Sequence, residues 1–236
     1  MTEPEEQKVG VGDEAVTAIH YAPAAEARAR LILAHGAGAN QRHPFMVRTA
    51  RALAGMGVGV TTFNFGYTER GRRVPDPKDA LERCFRQVLH AEAPRGPEVR
   101  GLPRPTFNAA PIFLGGKSMG GRIASQVVAA GGLEVEVRGL VFLGYPLHPP
   151  KKPTQLRVAH WPEVKVPQLF VQGTRDEFGT VEEITVHVPK LGAPATIFPI
   201  EQGDHSFAVP KKLGIPQDEV FTRAFEAMAA WMLARV

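Results

Sequence analysis

Short apolar runs alternate along the chain with longer segments that show helical periodicity. The apolar runs are predicted to be strands and lie at residues 16–21, 31–34, 59–63, 112–114, 140–143, 169–171 and Ala195–Ile200. The periodic segments are predicted to be helices and lie at residues 44–56, 76–93, 118–130, 181–190 and 217–234. Asp76, followed by Pro77, suggests a helix N-cap and a proline in the first turn. Strands that alternate with helices indicate an α/β fold.

Most of the predicted strands are continuously apolar, as expected when helices cover both faces of a sheet. We therefore expect a mostly parallel, doubly wound sheet. The run at 16–21 alternates loosely between apolar and polar residues and is predicted to be an exposed or edge strand. Residues 94–111 are rich in proline and glycine and are predicted to form a surface loop. Because no repeat or change in composition divides the chain, we expect a single domain over residues 1–236.

Composition and charge narrow the function classes. The chain has 236 residues, of which 44% are hydrophobic and 22% are charged, an ordinary globular balance. The single cysteine, Cys84, excludes an intramolecular disulfide framework and a zinc site built on several thiolates. The net charge is +4, and aromatic residues do not interleave with the basic clusters, so we expect no nucleic-acid partner.

The hydropathy pattern also predicts where in the cell the protein is located. No stretch approaches the roughly 18 consecutive apolar residues of a membrane span, so we expect no membrane partner. The first residues are acidic and lack the apolar core of a secretory signal. We therefore expect a cytoplasmic protein, and the sequence leaves its oligomeric state open.

The strongest chemical signal is the run Gly-Gly-Lys-Ser-Met-Gly-Gly at residues 115–121. It contains the Gly-x-Ser-x-Gly pattern between a predicted strand and a predicted helix, where this pattern forms a sharp turn that exposes a nucleophile. The glycines are required because side chains at their positions would collide with the neighbouring strand or helix. With 24 glycines and few serines in the chain, about 0.03 chance matches are expected. Ser118 is therefore the candidate nucleophile.

A nucleophilic serine needs a base and an acid that orients the base. Asp176 and His205 each follow a predicted strand, and carboxyl ends of parallel strands meet at one edge of a sheet. Ser118, Asp176 and His205 are therefore expected to converge, and their order along the chain is the one found in this kind of sheet. Asp204 and Glu177 are the alternative acids.

Acyl chemistry also needs backbone N–H groups near the carbonyl oxygen that becomes negative. The amide of Met119, at the start of a predicted helix, is one candidate for this oxyanion hole. The other is Ala37 in the loop His-Gly-Ala-Gly-Ala at 35–39, because the flanking glycines let its backbone approach a substrate. Neither the spacing of a phosphate-binding loop nor a His-Glu-x-x-His pattern is present. We therefore expect no cofactor and no metal.

At these residues the chain resembles the α/β-hydrolase superfamily, and within it the single-domain serine hydrolases that are similar to dienelactone hydrolase. The closest likeness is to a subgroup related to testis-expressed hydrolase-like proteins and to a regulatory subunit of a histone-acetyltransferase complex. The segments that carry the likeness are 35–39, 115–121, 144–150, 173–179 and 203–207. The resemblance implies an α/β-hydrolase fold of about eight strands, with Ser118 as nucleophile, Asp176 as acid and His205 as base. In dienelactone hydrolases proper the nucleophile is a cysteine, whereas here it is a serine. The resemblance therefore does not imply that this chain acts on their substrate.

These residues predict a cofactor-free serine hydrolase that cleaves a small carboxylic ester or related acyl bond through an acyl-enzyme. The alternatives are a binding or scaffold protein that keeps the fold without turnover, and an acyltransferase that uses the same residues. The connection at 145–167 is too short for a helical cap, so we expect no large lid domain and a shallow site for short acyl groups. The residues expected to wall the substrate pocket are Phe65, Tyr67, Tyr145, Leu147 and Phe207.

Arg70, Arg72 and Arg73 form a basic cluster after the predicted strand at 59–63. Because this strand ends at the same sheet edge as the candidate site, one hypothesis is that the cluster attracts a carboxylate or phosphate on the substrate. A solvated basic loop is the alternative.

Overall fold

The computed structural model describes residues 3–93 and 110–236. The described strands are Glu5–Val11 (β1), Glu14–Tyr21 (β2), Ala29–Ala34 (β3), Val58–Phe63 (β4), Ile112–Lys117 (β5), Val137–Leu143 (β6), Gln168–Gly173 (β7) and Ala195–Ile200 (β8). The described α-helices are Pro44–Gly55 (α1), Gly66–Glu69 (α2), Lys78–Ala91 (α3), Met119–Ala129 (α4), Val181–His187 (α5) and Gln217–Leu233 (α6). The loop predicted at 94–111 lies almost entirely outside the described residues.

The described strands form one sheet in the order β1-β2-β4-β3-β5-β6-β7-β8. Strand β2 is antiparallel to both of its neighbours, and all other pairs are parallel. This arrangement confirms the mostly parallel, doubly wound sheet. The prediction of an edge strand at 16–21 is wrong, because β1 pairs along the outer side of β2. Strand β1 buries only Val9, and this largely polar pattern explains why no strand was predicted there.

Helices cover both faces of the sheet, which is why its inner strands are continuously apolar. Helices α1 and α6 pack on one face through residues that include Leu53 and Phe225. Helices α3 and α4 pack on the other face through residues that include Phe85 and Ile123. Strands β3, β4 and β7 are buried at every position, so the sheet is a rigid platform for the loops at its carboxyl edge.

Helix α3 begins at Lys78, later than the sequence predicts. Pro77 occupies the N-cap position and makes no side-chain cap hydrogen bond. The carboxylate of Asp76 instead accepts hydrogen bonds from Arg70 and Arg72 at 2.6 and 3.2 Å. The predicted N-cap role of Asp76 is therefore wrong, because charged guanidinium donors compete successfully with the neutral backbone amides of the helix.

The connection between β6 and β7 contains a short 3-10 turn at Trp161–Glu163 and no helical cap. This confirms the expectation that a large lid domain is absent there. Across the described ranges, every helix is too short or too polar to cross a lipid bilayer.

Candidate active site

Ser118 lies at the sharp turn between β5 and α4. Its φ of 52° falls in the left-handed region that residues with a side chain rarely adopt. Its amide donates to the carbonyl oxygen of Leu143 on β6 at 3.1 Å, which ties the turn to the sheet. Backbone strain of this kind persists only where the surrounding structure imposes it, and it is concentrated at functional sites.

The glycines on either side make this turn sterically possible. A Cβ on Gly116 would lie 2.5 Å from the backbone of Gly120 and 2.6 Å from the carbonyl oxygen of Ala34. A Cβ on Gly120 would lie only 2.4 Å from the same oxygen. Helix α4 therefore packs directly against β3 and β5 because both positions lack side chains.

Ser118, His205 and Asp176 come together at the carboxyl edge of the sheet. His205 Nε2 lies 2.8 Å from Ser118 Oγ, and His205 Nδ1 lies 2.7 Å from Asp176 Oδ2. Because an ionised carboxylate only accepts hydrogen bonds, Nδ1 donates to Asp176 and Nε2 is left to accept from the Ser118 hydroxyl. The loops after β7 and β8 and the turn after β5 thus build one continuous chain of hydrogen bonds.

Further hydrogen bonds fix the carboxylate of Asp176, whose side chain is 0% exposed. Gln172 Nε2 donates to Oδ2 at 2.9 Å, and the amide of Phe178 donates to Oδ1 at 2.8 Å. Gln172 is fixed in turn, since its Oε1 accepts from the amide of Tyr145 at 2.7 Å. The buried carboxylate is therefore fully hydrogen-bonded and held in one orientation toward His205.

The alternative acids are bound elsewhere or exposed. Asp204 Oδ1 accepts from the amides of Ser206 and Ala208 at 2.7 and 3.0 Å, which closes the turn that carries His205. The side chain of Glu177 is exposed. Among the described residues, the ion-pair partner of the His205 imidazole is Asp176.

The predicted backbone donors Ala37 and Met119 both line the cavity beside Ser118. Met119 is the first residue of α4, so its N–H has no acceptor within the helix. The loop 35–39 passes close to the nucleophile, because a Cβ on Gly36 would lie 3.6 Å from Ser118 Cβ. The two candidate amides therefore belong to segments that meet at Ser118.

His35 anchors the loop 35–39 from within the core. Its Nδ1 donates to the carbonyl oxygen of Gly36 at 2.9 Å, and its Nε2 accepts from the amide of Phe65 at 3.3 Å. Burial lowers the pKa of His35 to about 4, so the imidazole is neutral at pH 7. The rings of Phe65 and Tyr67 contact it edge to face, with centroids 5.1 and 5.9 Å away. These two aromatic residues support the loop rather than wall a pocket.

A cavity of about 470 Å³ lies beside Ser118 and His205. The residues predicted to wall the pocket are fully buried and do not line this cavity: Phe65, Tyr67, Tyr145, Leu147 and Phe207. That part of the prediction is wrong. Their positions after strands place their backbones near the site, but their apolar side chains turn into the core, where burial removes them from water. Side chains that do line the cavity are Lys78, Leu81, Arg122, Pro146, Arg157 and Phe178.

Three further contacts of the site were not predicted from the sequence. Lys117 Nζ donates to the carbonyl oxygen of His205, and the ring of Phe178 lies 4.3 Å from the His205 imidazole. Gln172 positions the acid as described above. Gln172 was detectable as a polar residue in an apolar strand, and Lys117 as the neighbour of the nucleophile. Phe178 has no such signal, because its contact depends on how two loops fold together.

The basic cluster that follows β4 is largely neutralised within the protein. Arg70 binds both Glu14 and Asp76, and Arg72 binds Asp76 at 3.2 Å. The side chain of Arg73 is exposed. These contacts favour the alternative of a solvated basic loop over a cluster that attracts the substrate.

Metal-ligating side chains and the single cysteine are further candidate reactive groups within the described residues. Within residues 3–93 and 110–236, no group of three His, Cys, Asp or Glu side chains is arranged to hold a metal ion. Cys84 is buried in α3, and burial raises the pKa of its thiol to about 12. Its thiolate is therefore not available as a nucleophile at neutral pH.

Comparison with known proteins agrees with this architecture. A dienelactone hydrolase from Anabaena variabilis superposes with a TM-score of 0.72 at 18% identity and covers 100% of both chains. XC6422 from Xanthomonas campestris, described as a serine hydrolase without lid, has a TM-score of 0.68 at 16% identity over 98% of this chain and 96% of that one. A cold-adapted esterase from an Arctic intertidal metagenomic library has a TM-score of 0.66 at 16% identity over 99% and 94%.

At sequence identities of 16–18%, the similarity of these three structures to the chain shows a common fold alone. A family model described as an alpha/beta hydrolase domain matches residues 27–233. Since this match spans most of the 236 residues and agrees with the sheet order, the chain belongs to the alpha/beta hydrolase family.

Proposed function

We propose that the protein is a serine hydrolase that cleaves a carboxylic ester or related acyl bond of a small molecule through an acyl-enzyme. The observation that carries this proposal is the hydrogen-bonded chain from Asp176 through His205 to Ser118, beside an open cavity. Membership of the alpha/beta hydrolase family supports it. The chemistry requires only side chains, backbone amides and water.

In the first half of the reaction, Ser118 Oγ attacks the acyl carbon while its proton passes to His205 Nε2. A new C–O bond forms, and the carbonyl π electrons move to oxygen to give a tetrahedral oxyanion. We assign the amides of Ala37 and Met119 to hold this charge. When the oxyanion collapses, the bond to the alkoxy group breaks, and His205 returns the proton so that an alcohol departs.

In the second half, water attacks the acyl carbon of the Ser118 ester. His205 accepts a proton from the water, and collapse of the second oxyanion releases Ser118 Oγ, which recovers that proton. One water is consumed, and the products are an alcohol and a carboxylic acid. Asp176 keeps the imidazole in the required tautomer and stabilises its charged form throughout.

We also propose that the chain belongs to the subgroup similar to dienelactone hydrolase, near the testis-expressed and acetyltransferase-complex proteins, on the strength of the segments 35–39, 115–121 and 203–207. The dienelactone hydrolase and the esterase with the same fold support ester cleavage as the reaction class. The preference for short acyl groups stays a prediction, to be measured with nitrophenyl esters of increasing chain length.

Labelling with a fluorophosphonate tests the proposal without knowledge of the substrate, since this reagent bonds to a serine that a base and oxyanion donors activate. We expect one label on Ser118, identified by peptide mass spectrometry, and none in Ser118→Ala. Ser125→Ala is the matched control, because Ser125 lies on the same helix and its hydroxyl is hydrogen-bonded to His160 at 2.7 Å.

A folded wild-type protein that does not react would contradict the proposal and favour a binding or scaffold protein. If the wild type reacts with the fluorophosphonate, and unlabelled protein transfers the acyl group of an ester to an added alcohol faster than to water, the protein is an acyltransferase instead.

A further inference from the structure

The cavity beside Ser118 carries an excess of positive charge. Besides His205, its charged lining residues are Asp76, Lys78, Lys117, Arg122 and Arg157. Asp76 is bound by two arginines, Lys78 pairs with Glu82 at 3.1 Å, and Lys117 donates to the carbonyl of His205. In the part of the chain that the structure describes, Arg122 and Arg157 have no carboxylate partner.

Arg122 lies one helical turn after Ser118, and its amide donates to the Ser118 carbonyl oxygen at 3.2 Å. The Nε atom of its guanidinium is buried and has no hydrogen-bond partner among residues 3–93 and 110–236. A buried charged donor without an acceptor is costly, and such groups are rare in folded proteins. Because Arg122 also lines the cavity next to the nucleophile, the rest of its guanidinium is available to a ligand there.

Arg157 reaches the same cavity from the connection between β6 and β7. Its backbone is fixed, since its amide donates to Leu147 at 2.8 Å and its carbonyl accepts from the Tyr145 hydroxyl at 2.9 Å. Among the residues that the structure describes, its guanidinium makes one long hydrogen bond, from Nη1 to the carbonyl oxygen of Pro146 at 3.5 Å. Burial lowers the pKa of Arg157, and the positive charge of Arg122 lowers it further. Both guanidinium groups therefore line the same cavity and carry the same charge.

Two like charges that line one cavity repel each other, and an anion that binds between them relieves this repulsion. The planar guanidinium forks match carboxylate and phosphate oxygens, with which they form paired hydrogen bonds. Apolar lining from Leu81, Pro146 and Phe178 provides contact for the carbon skeleton of a small ligand.

We propose that Arg122 and Arg157 form a subsite for an anionic oxygen group of the substrate, a carboxylate or a phosphate. This proposal rests on the proposed hydrolase function. The substrate class is then a small ester that carries this second, anionic group close to the bond that Ser118 attacks. Arg122 and Arg157 thereby determine specificity, while the three hydrogen-bonded residues perform the chemistry.

The first test compares two esters of the same carbon chain. 4-Nitrophenyl hydrogen succinate carries a carboxylate, whereas its methyl ester is neutral, and both rates are corrected for spontaneous hydrolysis. We expect the wild type to prefer the anion, and Arg122→Gln and Arg157→Gln each to reduce the ratio of the two kcat/KM values about 10- to 100-fold, the effect of a lost charge-assisted hydrogen bond. Arg175→Gln removes the same charge from an exposed position after β7 and should leave the ratio unchanged.

The second test measures binding without turnover. Succinate and inorganic phosphate should raise the Tm of the wild type and of Arg175→Gln, with little rise in Arg122→Gln. A larger rise with phosphate identifies a phosphate-bearing substrate, and a larger rise with succinate identifies a carboxylate-bearing one. If Arg122→Gln does not fold, Arg122→Lys keeps the charge but loses the fork, and it should show an intermediate loss.

The proposal is overturned if neither anion raises the Tm of the wild type and if the ratio of kcat/KM values is the same in wild type and variants. Should Ser118 still react with the neutral fluorophosphonate in that case, the hydrolase function stands and only the anion subsite fails. If the protein binds the anions but does not react with the fluorophosphonate, the anion subsite is supported and the proposed hydrolase function is contradicted.

Discussion

Lys117 Nζ donates a hydrogen bond of 2.6 Å to the carbonyl oxygen of His205. One side chain thus links the turn that carries the nucleophile to the loop that carries the imidazole. The ring centroids of Phe45 and Phe207 each lie 5.8 Å from the ammonium, within the range of a cation–π interaction. Burial lowers the pKa of Lys117 to about 8, although neighbouring carboxylates act in the opposite direction.

Lys117→Met keeps an apolar chain of similar length but removes this link. We expect labelling of Ser118 by a fluorophosphonate to slow about tenfold or more, because the loop of His205 is no longer tied to the turn. In the wild type, the labelling rate should also fall as the pH rises through about 8, where the ammonium loses its proton, and the variant should lack this step. Lys190→Met, at an exposed position, is the control. An unchanged rate and pH profile in Lys117→Met would show that the link does not position His205.

Asp176→Asn and Asp204→Asn test which of these two carboxylates orients the His205 imidazole. Asn at 176 presents an amide donor to His205 Nδ1 and favours the wrong tautomer, so labelling of Ser118 should slow by several orders of magnitude. The equivalent change in the chymotrypsin triad costs about 10⁴ in kcat. Asn at 204 keeps an oxygen for the turn amides and should have little effect. Equal losses in the two variants would contradict the assignment of Asp176.

Gly120→Ala tests the close approach of α4 to the sheet. The added Cβ would lie 2.4 Å from the Ala34 carbonyl oxygen, so the helix must shift. We expect the free energy of unfolding in urea to fall by about 1–3 kcal/mol or more, with slower labelling of Ser118. Gly55→Ala adds the same methyl group at the end of α1 with no atom within 4 Å, and it should stabilise the protein by about 0.5–1 kcal/mol. Equal stability of the two variants would show that the Ala34 carbonyl oxygen does not exclude a side chain at position 120.

Stability should fall as the pH is lowered from 6.5 toward 4, in part because of His35. In the unfolded chain this imidazole takes up a proton near pH 6.5, but in the buried site its pKa is about 4. The unfolded state therefore binds more protons in this range, and the loss attributable to His35 is on the order of 3 kcal/mol. His35→Phe should be less stable at pH 7 but should lose less free energy between pH 6.5 and 4, as measured by urea denaturation. Parallel curves would contradict the buried, neutral state of His35, and His90→Gln, an exposed histidine, is the control.

The sequence by itself determined the sheet architecture and the chain order of the candidate site. Inner strands buried on both faces must be apolar throughout, so their positions were visible as continuous runs. The turn at Ser118 was equally visible, because only glycine tolerates the contacts at 116 and 120. Strand β1 was not visible, since it buries only one side chain and is held by backbone hydrogen bonds to β2 that any sequence can form.

Tertiary structure alone decided which side chains face the cavity. Tyr145 and Phe207 follow strands at the right edge, but their rings turn into the core, where apolar groups are more stable than in water. Arg122 and Arg157 come from a helix and a distant connection and converge on the cavity only when both pack against the same sheet. Spacing along the chain places backbones at an edge, whereas the direction of a side chain follows from the packing of segments far apart in sequence.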